Sequence, residues 1–157
     1  MRTVLVKKLG DNDIDKFIHV IRLFEQVFKM KNFSIPESDH LRNLLKKDDF
    51  YVFVALIGDK VVGGLTGYVL EQYYSEKPLA YIFDLAIATE YQRRGIGGKL
   101  IAETRKYCTE MGFEQVFVQA DMIDDYAVSF YRSTAPTNEE DVIHFYYTLK
   151  EAKNQDT

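Results

Sequence analysis

The chain is short of the features that would set it apart from ordinary globular proteins. It has one cysteine in 157 residues, Cys108, which excludes an internal disulfide framework and a multi-cysteine zinc module. It has three prolines and no Pro/Gly/Ser-rich stretch, repeat or low-complexity tract, so no linker divides it. Uninterrupted apolar runs are strand-sized, too short to span a bilayer, and the run after Met1 is too short for a signal-peptide core. A reducing cytosol is therefore the expected compartment, with no membrane partner. Positive charge is not in excess: 20 Lys+Arg face 24 Asp+Glu, a net charge of −4, which argues against a dedicated nucleic-acid binder. His19, His40 and His144 are isolated, with no H-x-x-x-H or Cys/His cluster, so no metal is expected.

What the chain does have is a globular composition, 46% apolar and 28% charged. Its length suits one domain that buries about 70% of its unfolded surface. Thr3 to Leu9 reads as a strand. Asp11, Asn12 and Asp13 offer a cap to a helix carrying Ile14, Phe17, Ile18, Ile21, Phe24 and Phe28. Pro36 opens a short second helix with Leu41, Leu44 and Leu45. Phe50 to Ile57 is an apolar strand, turning at Gly58-Asp59 into a second strand from Lys60 to Tyr73. A further strand spans Leu79 to Ala88.

A polar loop then leads into a helix from Gly95 to Met111, with Ile96, Leu100, Ile101, Thr104, Cys108 and Met111 as its buried face and Gly112 as its stop. Gln115 to Ala120 reads as a strand, Asp125 to Arg132 as a helix and Val142 to Leu149 as a last strand. Residues 1–149 thus form one α/β domain, a mixed, mostly antiparallel sheet flanked by helices. Residues 150–157 form a polar, frayed tail.

The most informative stretch is Gln92-Arg93-Arg94-Gly95-Ile96-Gly97-Gly98-Lys99. It lies between a strand and a helix, where unpaired N–H groups and the helix dipole favour an anion. The glycines permit close approach and unusual backbone angles, and Arg93, Arg94 and Lys99 add positive charge. A phosphate or pyrophosphate is the natural ligand; a glycine-rich helix start with solvated arginines is the alternative. Leu100 stands where a dinucleotide loop needs glycine and where a P-loop needs Ser or Thr, so neither motif applies.

Residues 92–97 match the Q/R-x-x-G-x-G/A loop of the GCN5-related N-acetyltransferase (GNAT) superfamily at every fixed place. Tyr81 to Ile87 resembles the strand that precedes this loop, and Asp124 to Tyr131 resembles the superfamily's N-x-x-A-x-x-L-Y segment. Within that superfamily, Tyr81 to Ala86, Gln119-Ala120-Asp121, Asp124-Asp125, Ala127-Val128 and His144-Phe145 are similar to aminoglycoside 3-N-acetyltransferases. The resemblance implies the GNAT fold and acetyl-CoA as co-substrate, held by residues 92–99. It also implies a thioester carbonyl polarised by backbone N–H groups near Leu85, Ala86 and Ile87, and Tyr131 as the hydrogen-bond donor to the leaving thiolate. A core-filling aromatic is the plainer reading of Tyr131.

The amine side is marked by carboxylates. Asp121, Asp124 and Asp125 follow the fifth strand, and Asp84 interrupts an apolar strand, which is costly unless the group is paired or functional. Together they would attract a cationic small-molecule amine, with Asp84 or Asp124 accepting its proton. Plain helix capping by Asp124 or Asp125, and structural pairing of Asp84, are the alternatives. The expected reaction is acetylation of the 3-amino group of an aminoglycoside. A polyamine, metabolite or protein amine, and a non-catalytic acyl-CoA sensor, remain the competing readings. Asp124 stands where the superfamily usually has Asn, and Arg132-Ser133-Thr134-Ala135-Pro136-Thr137 replaces its usual glycine turn. The resemblance also implies a homodimer. Residues 92–106 carry a net +4, leaving −8 for the remainder, a division that suits an anionic co-substrate and a cationic acceptor.

Overall fold

The computed structural model describes residues 2–150. Five strands form one sheet in the order β1 (Val4–Lys8), β2 (Phe50–Ile57), β3 (Lys60–Leu70), β4 (Leu79–Ile87) and β5 (Gln115–Val118). The first three pairings are antiparallel and the β4–β5 pairing is parallel. Helices α1 (Ile14–Val27) and α2 (Ser38–Lys46) separate β1 from β2, α3 (Ile96–Glu110) makes the parallel crossover, and α4 (Asp125–Ser133) follows β5. The α/β sheet flanked by helices is the architecture the sequence implies.

Alternate residues of β2 explain the layering. Val52, Val54 and Leu56 pack with Phe17, Val20, Leu23, Leu41 and Leu45 of α1 and α2. Tyr51, Phe53 and Ala55 pack with Ile96, Leu100, Ile101 and Cys108 of α3. Both faces are covered, so β2 is apolar throughout rather than alternating. Burial pushes the Cys108 thiol up to about 11, consistent with an unreactive core residue.

Several boundaries differ from expectation. Pro36 lies outside α2, whose first residue is Ser38. The inner face of α1 is rotated: Val20 and Leu23 are buried, whereas Phe28, one residue past the last turn, is 45% exposed. Asp13 precedes α1 without capping it. Its carboxylate instead accepts from Gly10 N at 2.8 Å and Lys7 Nζ at 3.0 Å, and the Gly10 bond is the main cause of its lowered pKa. Met111 is 58% exposed because α3 has already ended. Gly112 at φ 77° donates to Thr109 O and Phe113 N donates to Cys108 O, a Schellman stop that turns Met111 outward.

The largest correction concerns Val142 to Leu149. No strand is present there among the described residues, and every residue of the segment is exposed. The chain leaves α4 through Ala135, at φ 58°, and Pro136. Arg132 then donates to Glu139 from Nε at 3.0 Å and from Nη2 at 2.8 Å. The segment joins no sheet among the described residues. Residues 151–157, most of the expected tail, lie outside the described residues.

Candidate functional site

A β-bulge and a shortened neighbour open the sheet at β4. The β3–β4 register runs Gly67↔Ile82 and then Thr66↔Asp84, so Phe83 is an extra residue on β4. The burial period shifts accordingly: Ala80 and Ile82 pack toward α3, and beyond the bulge Leu85 and Ile87 do so. On the other side, β5 stops at Val118, opposite Ile82. From Phe83 to Ile87, β4 therefore has β3 on one edge and no strand on the other among the described residues.

That edge presents free backbone groups at defined places. Ala88 N donates to Val62 O of β3 at 2.9 Å. Successive residues of an extended strand point their N–H groups to opposite sides, so Ala86 also faces β3 while Leu85 and Ile87 face the open edge. Of the three residues the sequence singles out here, Leu85 and Ile87 offer N–H groups to the gap and Ala86 does not. Gln92 donates from Nε2 to Ile87 O at 3.0 Å, tying the glycine loop to this strand end.

The loop itself has an anion-ready backbone. Arg93 and Gly95 adopt left-handed φ of 62° and 80°, and α3 starts after Gly95 without a side-chain cap. Lys99 N bonds to Gly95 O, which leaves the earlier N–H groups of the helix without intrahelical partners. A Cβ on Gly98 would meet nothing within 4 Å, whereas one on Gly97 would fall 2.8 Å from the Phe130 ring. Ile96 is buried beneath the loop.

Arg93 and Arg94 make no salt bridge among the described residues. Their guanidinium carbons instead lie 5.7 Å from the Tyr126 ring centroid and 5.3 Å from that of Tyr91, contacts that hold a cation without neutralising it. Lys99 is exposed on the same turn. Uncapped N–H groups, a glycine open to approach and three unpaired cations fit a pyrophosphate.

The residues at the open edge converge on Tyr131. Burial, followed by the carboxylates of Asp84 and Asp124, pushes its phenol up to about 12. The structure thus brings Tyr131 within electrostatic reach of Asp84 on one side and Asp124 on the other. Asp84 is half-buried, its carboxyl raised above the usual aspartate value by that burial, and it has no hydrogen-bond or ion-pair partner among the described residues. The structural pairing that would have explained it is absent there.

The other carboxylates have local duties. Asp124 Oδ1 accepts from Ala127 N at 3.0 Å, capping α4 while it borders Tyr131. Asp121 Oδ1 accepts from Ile123 N at 3.2 Å, closing the turn before the helix. Asp125 is exposed in the first turn of α4. Asp124 N also donates to Asp121 O at 3.0 Å, but among the described residues neither the Asp121 nor the Asp125 carboxylate acts on Tyr131 as Asp84 and Asp124 do.

Aromatic residues also border the opening. Tyr81 stacks on Phe117 at 4.7 Å and 7°, meets Phe83 edge-on at 6.0 Å, and donates its hydroxyl to Gln119 at 3.1 Å. Phe83 meets Tyr68 at 5.5 Å and is 55% exposed. The bulge turns Phe83 outward, and local sequence gives no sign of a bulge. The contacts of Tyr126 with Arg93 and of Phe130 with Gly97 join residues far apart in the chain, so local sequence gives no sign of them. A separate concavity, lined by Lys8, Leu9, Tyr51 and Tyr107 among others, involves none of these residues.

The family model described as acetyltransferase (GNAT) family matches residues 18–135. No curated protein sequence matches the chain. Among solved structures, the chain is similar to the aminoglycoside acetyltransferase meta-AAC0020 from an uncultured soil metagenomic sample, crystallised with trehalose and with sisomicin. For the trehalose complex the identity is 67% over 94% of this chain and 97% of that one, with a TM-score of 0.93. A second soil-metagenome aminoglycoside acetyltransferase, HMB0005, is 30% identical over 94% of this chain and 99% of that one, with a TM-score of 0.88. The aminoglycoside N-acetyltransferase AAC(6')-Iy, in complex with CoA, shares the fold at 15% identity and a TM-score of 0.77, covering 96% of this chain and 97% of that one.

Proposed function

Because the chain belongs to the acetyltransferase (GNAT) family, we propose that it transfers the acetyl group of acetyl-CoA to an amine of an aminoglycoside. The observation that carries this reading is Asp84: a half-buried carboxyl with a raised pKa, unpaired among the described residues, at the open edge of β4 beside Tyr131. An acetyltransferase needs a base at such a place, and a fold alone does not.

Acetyl-CoA would supply the activated acetyl thioester. The loop from Gln92 to Lys99 would bind its pyrophosphate through the uncapped start of α3, with Arg93, Arg94 and Lys99 around it. Leu85 and Ile87 would pair with the pantetheine arm, and one of their N–H groups would stabilise the oxyanion formed as the amine attacks. Asp84, with Asp124 nearby, would attract the ammonium group and take its proton directly or through water. Tyr131, neutral across the physiological range, would donate a hydrogen bond to the departing thiolate. Its pKa of about 12 lies above that of a thiol, so the phenol stabilises the thiolate rather than surrendering its proton completely.

An aminoglycoside is favoured over a peptide or polyamine by the names of the relatives at 67% and 30% identity and by the aromatic surface beside the acids. Tyr81, Phe83 and Tyr68 offer ring faces to a sugar, and the carboxylates offer charge to its amines. Within that class, the likeness of residues 81–86, 119–121 and 144–145 to 3-N-acetylating enzymes favours the 3-amino group. Acetylation of kanamycin, gentamicin and sisomicin, followed by NMR of the products, tests both levels. A 3-N-acetyl product supports the full reading, a 6′-N-acetyl product keeps only the coarser one, and turnover confined to spermidine or peptides rejects both.

A further inference from the structure

Helix α4 reaches the anion-ready loop twice. Phe130 sits against Gly97 at the start of α3, 2.8 Å from the place of a Cβ there. Tyr126, four residues earlier and so on the same face of α4, reaches the other end of the loop. Its ring centroid lies 5.7 Å from the Arg93 guanidinium carbon, and its hydroxyl is 3.5 Å from Gln92 Oε1. In the superfamily's N-x-x-A-x-x-L-Y segment this position is one of those left free, so the pattern itself gives Tyr126 no task.

The polarity of the Gln92 contact is fixed by its other end. Gln92 Nε2 donates to Ile87 O at 3.0 Å, a carbonyl that can only accept, so Oε1 is the atom turned to Tyr126 and the phenol is the donor. One amide thereby ties the end of β4 to α4. Arg93 needs holding more than its neighbours do. It keeps φ at 62°, a left-handed conformation uncommon for a residue with a Cβ, and it has no ion-pair partner among the described residues. A ring face keeps the guanidinium in place with its N–H groups still free for an anion. Tyr126 itself is 52% exposed, so core packing does not account for it.

We propose that Tyr126 is a positioning residue for the pyrophosphate of acetyl-CoA: its ring sets the Arg93 guanidinium and its hydroxyl sets the Gln92 amide before the co-substrate arrives. The assignment rests on the acetyltransferase reading above. Beyond that reading, donor affinity depends on an aromatic side chain of α4 outside the loop, and the dependence is confined to donors that carry the pyrophosphate. The bond from Gln92 to Ile87 O does not involve the phenol, so the pantetheine arm along β4 gains nothing from Tyr126.

Calorimetric titration of the full chain with CoA, and amide-shift titration with pantetheine, which ends before the pyrophosphate, test this. Tyr126→Leu is expected to raise Kd for CoA about tenfold, and Tyr126→Phe, which keeps the ring, about threefold. Neither is expected to change Kd for pantetheine, and the amide spectra report the fold of each variant. In the Arg93→Ala background the Leu change is expected to cost no more than the Phe change does in the wild type, because the ring then has no guanidinium to hold. An unchanged Kd for CoA in Tyr126→Leu, full additivity with Arg93→Ala, or an equal rise for CoA and pantetheine overturns the assignment and leaves the acetyltransferase reading intact. A wild type that binds no CoA overturns both.

Discussion

Gly97 and Phe130 touch so closely that a single methyl group cannot be placed between them: a Cβ at position 97 would lie 2.8 Å from two atoms of the ring. The contact joins the first turn of α3, which carries the anion-ready loop, to α4, which carries Tyr131. The two halves of the site are thus set relative to one another by the absence of a side chain.

Replacing Gly97 by Ala forces Phe130, and α4 with it, to move. Overpacking of this kind costs roughly 1–3 kcal/mol, so a fall in Tm of about 3–10 °C is expected for a chain of this size. Because the displaced helix bears Tyr131, kcat falls as well. Trimming the ring in the same background (G97A/F130L) is expected to restore part of the stability, a coupling that a double-mutant cycle measures.

Gly98 makes the opposite prediction. Nothing lies within 4 Å of its missing Cβ and its φ is not positive, so Gly98→Ala raises helix propensity and is expected to stabilise by about 0.5–1 kcal/mol. If the pyrophosphate approaches the backbone there, the same change raises KM for acetyl-CoA. Higher Tm with higher KM is the expected split, read by calorimetry and initial rates. A raised Tm with unchanged KM would remove Gly98 from the binding surface.

These two glycines show what the sequence could and could not disclose. Residues 92–99 announce an anion site because the relevant groups are adjacent in the chain and their spacing can be compared with known loops. The reason for Gly97 is non-local, since Phe130 follows 33 positions later. Asp84 stood out as a charge in an apolar strand, but the bulge at Phe83 that exposes its neighbours depends on how Thr66 and Gly67 pair with β4. Val142 to Leu149 has strand composition, and composition does not say which sheet a strand joins. Helical period alone places Met111 on the buried face, whereas the Schellman stop at Gly112 ends that period one residue too soon.

Tyr131→Phe removes only the hydroxyl. A loss of kcat of about 10²-fold is expected, with little change in KM for acetyl-CoA. Since the phenol titrates at about 12, the wild-type kcat should show no falling limb between pH 7 and 10 that the variant lacks. Equal kcat in the two proteins would make Tyr131 a packing residue.

Asp84 links activity to stability through the sign of its pKa shift. Burial raises the pKa in the folded state, so the folded chain binds this proton more tightly than the unfolded one. Its favourable contribution is present below the unfolded pKa and lost as pH rises through the folded value. Asp84→Asn, which mimics the protonated form, is therefore expected to raise Tm at pH 7 and to lose that advantage toward pH 4. The same variant is expected to lose kcat/KM for the aminoglycoside and the rising acidic limb of its pH profile. A lower Tm at pH 7 would show that Asp84 has a stabilising partner.

The central claim is that the acids at the open edge of β4 serve a cationic aminoglycoside. Thiol release from acetyl-CoA, measured at saturating co-substrate with kanamycin, gentamicin, sisomicin and spermidine in turn, tests it most directly. Saturable turnover with the aminoglycosides is expected, with a higher kcat/KM for them than for spermidine and a marked loss in the Asp84→Asn enzyme. Tight acetyl-CoA binding without thiol release from any aminoglycoside would contradict it.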